Sequence, residues 1–352
     1  MSQDNGHVSQ DNGHDRRKDT APGPRPHTAP GAHGGQAGHG GHHGPAHGHR
    51  HGAAPGHAHG HTHGDTEFDW DAMGPLLEQE AELGRPQYEE AARWIAGLPT
   101  APEVRRVLDI GSGPGVVTCL LAEMFPEAEV VAVDGTPALL ERALARAGRL
   151  GLGDRVRTLR ADFPEDLGRL GEADLIWASN SLHHVGDQRA ALAGFAALLR
   201  PGGTVALVEG GLPTRRLPRD IGMGRPGLEA RIDAITADWF EAMRASLPGA
   251  RRETEDWSAL FTAVGLVPHG TRSFLLDLPA PLPEPARDQV IAEFARRREM
   301  YEDALDAEDV TVLDRLLDPE DPAGLRLRSD VFLLTARTVH LGRKDAPRGP
   351  EH

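Results

Sequence analysis

"VRRVLDIGSGPGVVTCLLAEMFPEAEVVAVDGT", residues 104–136, sets an apolar run, three glycines on alternate positions and a helical pattern side by side. VRRVLDI (104–110) reads as a short buried strand, VVTCLLAEMF (116–125) as the helix after it and AEVVAVD (128–134) as a second strand. The glycine spacing narrows the ligand that such a loop holds. A dinucleotide fingerprint has the form G-x-G-x-x-G, whereas Gly111, Gly113 and Gly115 give G-x-G-x-G and Val116 stands where the third glycine would be. A phosphate-cradling loop needs Gly-Lys-Ser/Thr, and no lysine lies between Val104 and Thr136. The loop therefore suits a ligand without a pyrophosphate. Asp109, one residue before the strand ends, is expected at the loop mouth, where a carboxylate welcomes an ammonium or another donor-bearing group.

Working outward, strands and helices alternate. PALLERALARAGRLG has leucines and alanines at helical spacing, RVRTLRAD (155–162) is a third strand and ADLIWASNS (173–181) a fourth. The helix QRAALAGFAALL stops at a turn, Pro201-Gly202-Gly203, before a fifth strand TVALVEG (204–210). Repeated βα units imply a parallel sheet with helices on both faces, and such sheets bind ligands at the carboxyl ends of their strands. Upstream, residues 65–100 hold one or two helices with an apolar face from Leu76, Leu77, Ala81 and Leu83. Downstream, Leu228, Ile232, Ile235, Trp239, Met243 and Leu247 form one stripe of a helix. The stripe reads either as core or as the wall of a substrate cap over the strand ends. EDWSALFTAVGL then gives a helix, RSFLLDL a strand, 284–317 two helices and SDVFLLTARTVHLGR a last strand.

VLDIGSGPG (107–115) resembles motif I of the class I S-adenosylmethionine-dependent methyltransferases. VVAVDGT, RADF (160–163), WASNSLHHV (177–185) and LLRPGGTVALVE (198–209) extend the resemblance in family order over residues 104–210. It implies an α/β fold: a doubly wound, mostly parallel, seven-stranded Rossmann-like sheet with N-terminal helices, a helical cap inserted after the fifth strand, and hairpin-like sixth and seventh strands. It also implies S-adenosylmethionine as cofactor, held by Asp109, Gly111, Ser112, Gly113 and Gly115, with Asp134 and Gly135 at the ribose hydroxyls, Asp162 at the adenine amino group, Phe163 by the ring, and Asn180. Tyr88 or Trp70 would lie near the sulfonium if the upstream helices form a lid rather than plain packing. The methyl group of this cofactor is already activated, so the protein needs mainly to align an acceptor. A phenol or amine acceptor then needs a modest base, for which His183, His184 and Glu209 are the candidates. Adjacent residues leaving a strand point opposite ways, so one histidine at most is expected to face the acceptor. The reading is methyl transfer to oxygen or nitrogen of a small organic acceptor.

Composition bounds the rest. Residues 1–64 hold 14 of the 19 histidines, lack apolar periodicity and read as a disordered tail before a domain spanning 65–344. That domain divides into helices at 65–100, a cofactor core at 104–210 and cap and C-terminal strands at 211–344, with 345–352 a disordered end. The tail carries a net charge of +1 and the remainder −16, an acidic body that disfavours a nucleic-acid partner. Cys119 is the single cysteine, which excludes a disulfide or thiolate cluster within the chain, disfavours arsenic methylation and fits a cytoplasmic setting. No run of about 18 apolar residues suggests a membrane span. Two rivals remain: a Rossmann oxidoreductase, disfavoured by the glycine spacing, and a metal-binding module. For the second, His47, His49, His51, His57, His59, His61 and His63 lie in HGHRHGAAPGHAHGHTHG and offer imidazoles to Ni, Zn or Cu. A solvated tail without specific chemistry is the equal alternative. If the tail binds metal, calorimetry with Ni or Zn yields heat for the full chain but not for a chain lacking residues 1–64, and the heat is lost between about pH 7.5 and about pH 5.5 as the imidazoles charge. Equal uptake by both chains refutes a tail site.

Overall fold

The computed structural model describes residues 70–98 and 103–346, and the side chains of residues 70–72 are outside that description. The readings of the tail, its seven candidate ligands, the Trp70 ring and the last six residues all fall outside it. In chain order the elements are α1 (Trp70–Ala96), β1 (Arg106–Ile110), α2 (Val116–Met124), β2 (Glu129–Asp134), α3 (Pro137–Arg149), β3 (Val156–Arg160), β4 (Ala173–Ser179) and α4 (Gln188–Leu198). There follow β5 (Leu199–Arg215), α5 (Leu228–Ser246), α6 (Trp257–Ala263), β6 (Val267–Leu278), α7 (Glu284–Met300), α8 (Ala307–Leu317) and β7 (Leu333–Arg343).

The seven strands form one sheet in the order β3-β2-β1-β4-β5-β7-β6. β1, β2 and β4 are apolar runs because both their faces are covered, as parallel strands flanked by helices must be. β1 to β5 run parallel, whereas β7 is antiparallel to both β5 and β6, so the sheet is mixed. The sixth and seventh strands pair closely but are not joined as a hairpin, since α7 and α8 intervene. The order reverses beside β1, between the loops that follow β1 and β4, which is the crevice where open α/β sheets bind ligands.

One face of the sheet packs Tyr88, Ala91 and Ile95 of α1 and Leu120 and Leu121 of α2 against Trp177 and Phe274. The other packs Leu192 and Phe195 of α4 and Phe261 of α6 against Ile110, Ile176 and Leu207. A third cluster joins α5, α7 and α8 around Ile232, Phe294 and Leu313, beyond the strand ends. Among the described residues upstream of β1 there is one helix, of 27 residues, which carries Pro75 and Pro86 inside it. It is fastened along its length: Glu78 accepts from Arg146 of α3 at 3.0 Å, and buried Gln87 donates to Phe274 O at 2.8 Å. Among the described residues, no helix is long and apolar enough to cross a membrane.

Gly115 makes the close approach on which α2 and α3 depend. Its φ is +78°, and a Cβ there would lie 2.4 Å from Ala143 Cβ. Gly115→Ala is expected to cost about 1–3 kcal/mol by overpacking and strained φ, lowering Tm by several degrees in scanning calorimetry. An unchanged Tm would remove this contact from the account of the fold.

Candidate functional site

The loop after β1 turns back because its first N–H groups have somewhere to go: Gly111 N and Ser112 N both donate to Val133 O of β2, at 2.9 and 3.0 Å. Gly111 and Gly113 have φ of +69° and +53°. A Cβ on Gly111 would meet Ser181 Cβ at 2.7 Å, so the glycine lets the loop after β4 close against the loop after β1. A Cβ on Gly113 would meet nothing within 4 Å, which puts that backbone on the open side of the crevice.

Asp134 stands at the end of β2 and holds the loop in shape. Its Oδ2 accepts from Gly113 N and its Oδ1 from Thr136 N, both at 2.9 Å. Burial pushes its carboxyl above the ordinary value, opposed by those N–H groups. Gly135 beside it leaves room for Asp162, whose Oδ1 is 2.8 Å from where a Cβ would be. Phe163 stacks one face on Phe195 of α4, with centroids 5.2 Å apart and planes 11° off parallel.

Asp109 is not at the mouth. It is 2 % exposed, lies under the loop and accepts from Thr118 Oγ1 of α2 at 2.6 Å. The expectation failed because the last residues of β1 alternate between faces, and Asp109 turns towards α2 rather than the crevice. Burial, opposed by Thr118 and reinforced by Asp134, pushes this carboxyl up to about 7. Tyr88 likewise is core: it is 6 % exposed and meets Trp177 edge-on at 6.3 Å.

After β4 the chain holds Asn180 in a left-handed conformation, φ +50°, and then makes a 3₁₀ turn over Leu182–His184. Asn180 Oδ1 accepts from Arg337 of β7 at 2.9 Å. His183 Nδ1 is 3.0 Å from Glu209 Oε2, and Glu209 Oε1 accepts from Leu182 N at 3.0 Å. The two histidine rings are 4.3 Å apart instead of on opposite sides, because the chain here is a tight turn and not a continuing strand. α5 covers this turn: Phe240 lies 5.4 Å from the His183 ring, and Arg244 donates to His183 O and Val185 O at 2.7 Å.

The crevice can be tested for a fit to the expected cofactor. Ser112 Oγ and Ser181 Oγ are buried at the two facing loops and have no hydrogen-bond partner among the described residues. Such orphaned oxygens, an open backbone at Gly113 and carboxylates at the ends of β2 and β3 form a donor set suited to an amino acid joined to a nucleoside. Thr118, Thr136, Ser181 and Arg337 are site neighbours that the sequence reading missed. Thr118 was findable, since it follows Asp109 by one strand-to-helix connection; Arg337 lies too far along the chain to be noticed.

Residues 107–203, which span β1 to β4, α4 and the start of β5, match the family described as Methyltransferase domain. Over this segment the chain is similar to the class I S-adenosylmethionine-dependent methyltransferases. It is similar to trans-aconitate 2-methyltransferase of Methylobacterium radiotolerans, 37 % identical over 167 residues that cover 45 % of this chain and 57 % of that protein. The protein of the same name from Streptomyces coelicolor is 33 % identical, covering 48 % and 55 %. That of Paracidovorax citrulli is 29 % identical over 247 residues, covering 65 % and 88 %. The chain thus spans little more than half the length of the first two relatives it matches.

The raised Asp109 carboxyl has a consequence for stability. The folded state keeps a proton that the unfolded state releases near pH 4, so stability is highest below about 4 and falls as pH rises towards about 7. Asp109→Asn cannot titrate. Calorimetry at about pH 5 and about pH 8 is expected to show wild-type Tm falling relative to the variant. A constant difference would mean that the carboxyl is not raised.

Proposed function

We propose that the chain transfers a methyl group from S-adenosylmethionine to a hydroxyl or amine of a small organic acceptor, with His183 as the base and Glu209 as the group that orients it. The observation that carries this reading is the His183–Glu209 contact at 3.0 Å beside the glycine loop and Asn180. When bound, the cofactor supplies a methyl carbon on a sulfonium, whose C–S bond breaks with its electron pair left on sulfur as the acceptor–carbon bond forms. Asp134 and Asp162 accept from the ribose and adenine ends, Ser112 and Ser181 bond the amino-acid end, and Gly111, Gly113, Gly115, Gly135, Phe163 and Asn180 shape the bed. Asp109 acts from beneath, by fixing α2 through Thr118.

With Nδ1–H donated to Glu209, His183 keeps an acceptor lone pair on Nε2, the arrangement a general base needs. The acceptor proton goes to that nitrogen. His184, beside it in the same turn, fits a role in binding rather than a second base. α5, α7 and α8 act as the acceptor cap: their shared apolar cluster lies beyond the strand ends, and Phe240 and Arg244 of α5 touch the His183 turn. Small acceptors are also what the relatives' names describe, since trans-aconitate is a small molecule.

The cofactor and base assignments separate by mutation. Asp134→Ala is expected to weaken S-adenosylhomocysteine binding by about ten- to a hundredfold, the equivalent of one charge-assisted bond at roughly 1.5–3 kcal/mol. His183→Ala leaves that affinity within a few-fold and lowers turnover by about 10²–10⁴, and Glu209→Gln lowers turnover in the same direction. Calorimetry and single-turnover methylation of an extract with labelled cofactor read the two effects. Wild-type affinity in Asp134→Ala withdraws the cofactor site; undiminished turnover in His183→Ala withdraws the base.

A further inference from the structure

We infer that the cavity between α1, α7 and the extended ends of β5, β6 and β7 binds a carboxylate of the methyl acceptor, anchoring it while its reactive atom stays at the His183 end; this rests on the methyltransferase reading above. The cavity has a volume of about 160 Å³. A cavity of about 150 Å³ takes a molecule the size of benzene, so this one admits a short chain and not a polymer.

Its walls are built from opposite chemistries. Arg216, Arg296, Arg297 and Arg337 line it together with the carboxylates of Glu80 and Glu293. Glu293 serves three arginines at once, at 2.9 Å from Arg296, 2.8 Å from Arg297 and 3.9 Å from Arg216. Although burial pushes Glu293 up, Arg296, Arg297 and Arg216 together hold it below the ordinary range. Glu229 and Asp233 stand behind, 3.6 Å from Arg216 and 3.8 Å from Arg297. Arg216 is 7 % exposed, yet its guanidinium makes one hydrogen bond among the described residues, to Thr214 O at 3.3 Å. Burial and then neighbouring Arg297 pull it below its ordinary pKa, opposed by Glu293, Glu229 and Glu80. Gln289, 6 % exposed, also lines the cavity, and its Oε1 has no hydrogen-bond partner among the described residues.

A planar guanidinium with free N–H groups is the usual recognition group for a carboxylate, which it meets with two parallel bonds. Leu83, Leu276, Val290 and Leu333 form the other wall, so the carboxylate comes attached to hydrocarbon. The cavity follows β7 from Leu333 to Arg337, about 13 Å at roughly 3.3 Å per residue. At one end of the cavity Arg337 links it to the loop after β4. Arg337 donates to Asn180 and pairs in register with Gly211, two residues after Glu209. Its guanidinium is held above its ordinary value by Tyr88 first and then by Glu80 and Glu209. The anchor proposed here thus lies one side chain, Arg337, away from the loop that carries His183.

The test uses the full chain saturated with S-adenosylhomocysteine and titrated with succinate, against succinamide, which has nearly the same shape and no charge. Succinate is expected to bind and succinamide not to. Arg297→Gln and Arg296→Gln are each expected to weaken succinate by about ten- to a hundredfold while leaving S-adenosylhomocysteine within a few-fold. Arg296 is the more exposed of the two, so it tests the proposal even where Arg297→Gln fails to fold. In a small-molecule extract given enzyme and labelled S-adenosylmethionine, the methylated product should be retained on an anion exchanger. Equal binding of succinamide, no succinate binding, unchanged affinity in both variants, or label only in unretained products overturns the anchor. Failure to bind S-adenosylhomocysteine would instead overturn the methyltransferase reading on which it rests.

Discussion

One carboxylate holds the crevice in shape. Asp134 takes the N–H of Gly113 with one oxygen and that of Thr136 with the other, and so ties the loop after β1 to the start of α3. Three left-handed glycines would otherwise leave that loop with many conformations to lose on ordering. The carboxylate has its own cost, because it is buried beside Asp109, and both acids are pushed up. Two such groups persist where the surrounding backbone and the Thr118 hydroxyl supply donors, and the same arrangement leaves lone pairs on Asp134 for a ligand hydroxyl.

Legibility in the sequence followed locality. β1, β2 and β4 were readable because strands covered on both faces are short unbroken apolar runs, and α3 because its apolar residues recur at helical spacing. β5 was read as 204–210 but runs from Leu199 to Arg215, since its outer half is exposed and passes through Gly210 and Gly211, residues that signal a turn. Asp109 was assigned to the right motif and the wrong side of the loop, an error of one residue in the pleat. The two histidines were treated as strand residues, although Ser181 starts a tight turn in which neighbouring rings can meet.

The arginine cavity was invisible for a different reason. Arg296 and Arg297 come from α7, Arg337 from β7 and Arg216 from the residue after β5, so only two of the four are adjacent in sequence. Glu209 and His183 are 26 residues apart and meet only because β4 and β5 are neighbours in the sheet. Chemistry assembled across a sheet leaves no spacing to recognise.

Net charge and local charge point opposite ways in this protein, and the balance between them is a matter of distance and dielectric. The chain carries −15 overall, which argues against an anionic ligand if the whole surface is averaged. Screening in water confines each surface charge to a Debye length of about 8 Å at physiological salt, so distant acids act mainly on the rate of approach. Inside the cavity the nearest charges decide, and four guanidiniums line it beside two carboxylates, with Glu229 and Asp233 behind. Glu293 and Glu80 then serve as placeholders, keeping the arginines extended and spaced in the absence of a ligand. An acceptor carboxylate entering this frame loses its water to groups already fixed in position. Under the proposed anchor, less ordering is left to do on binding.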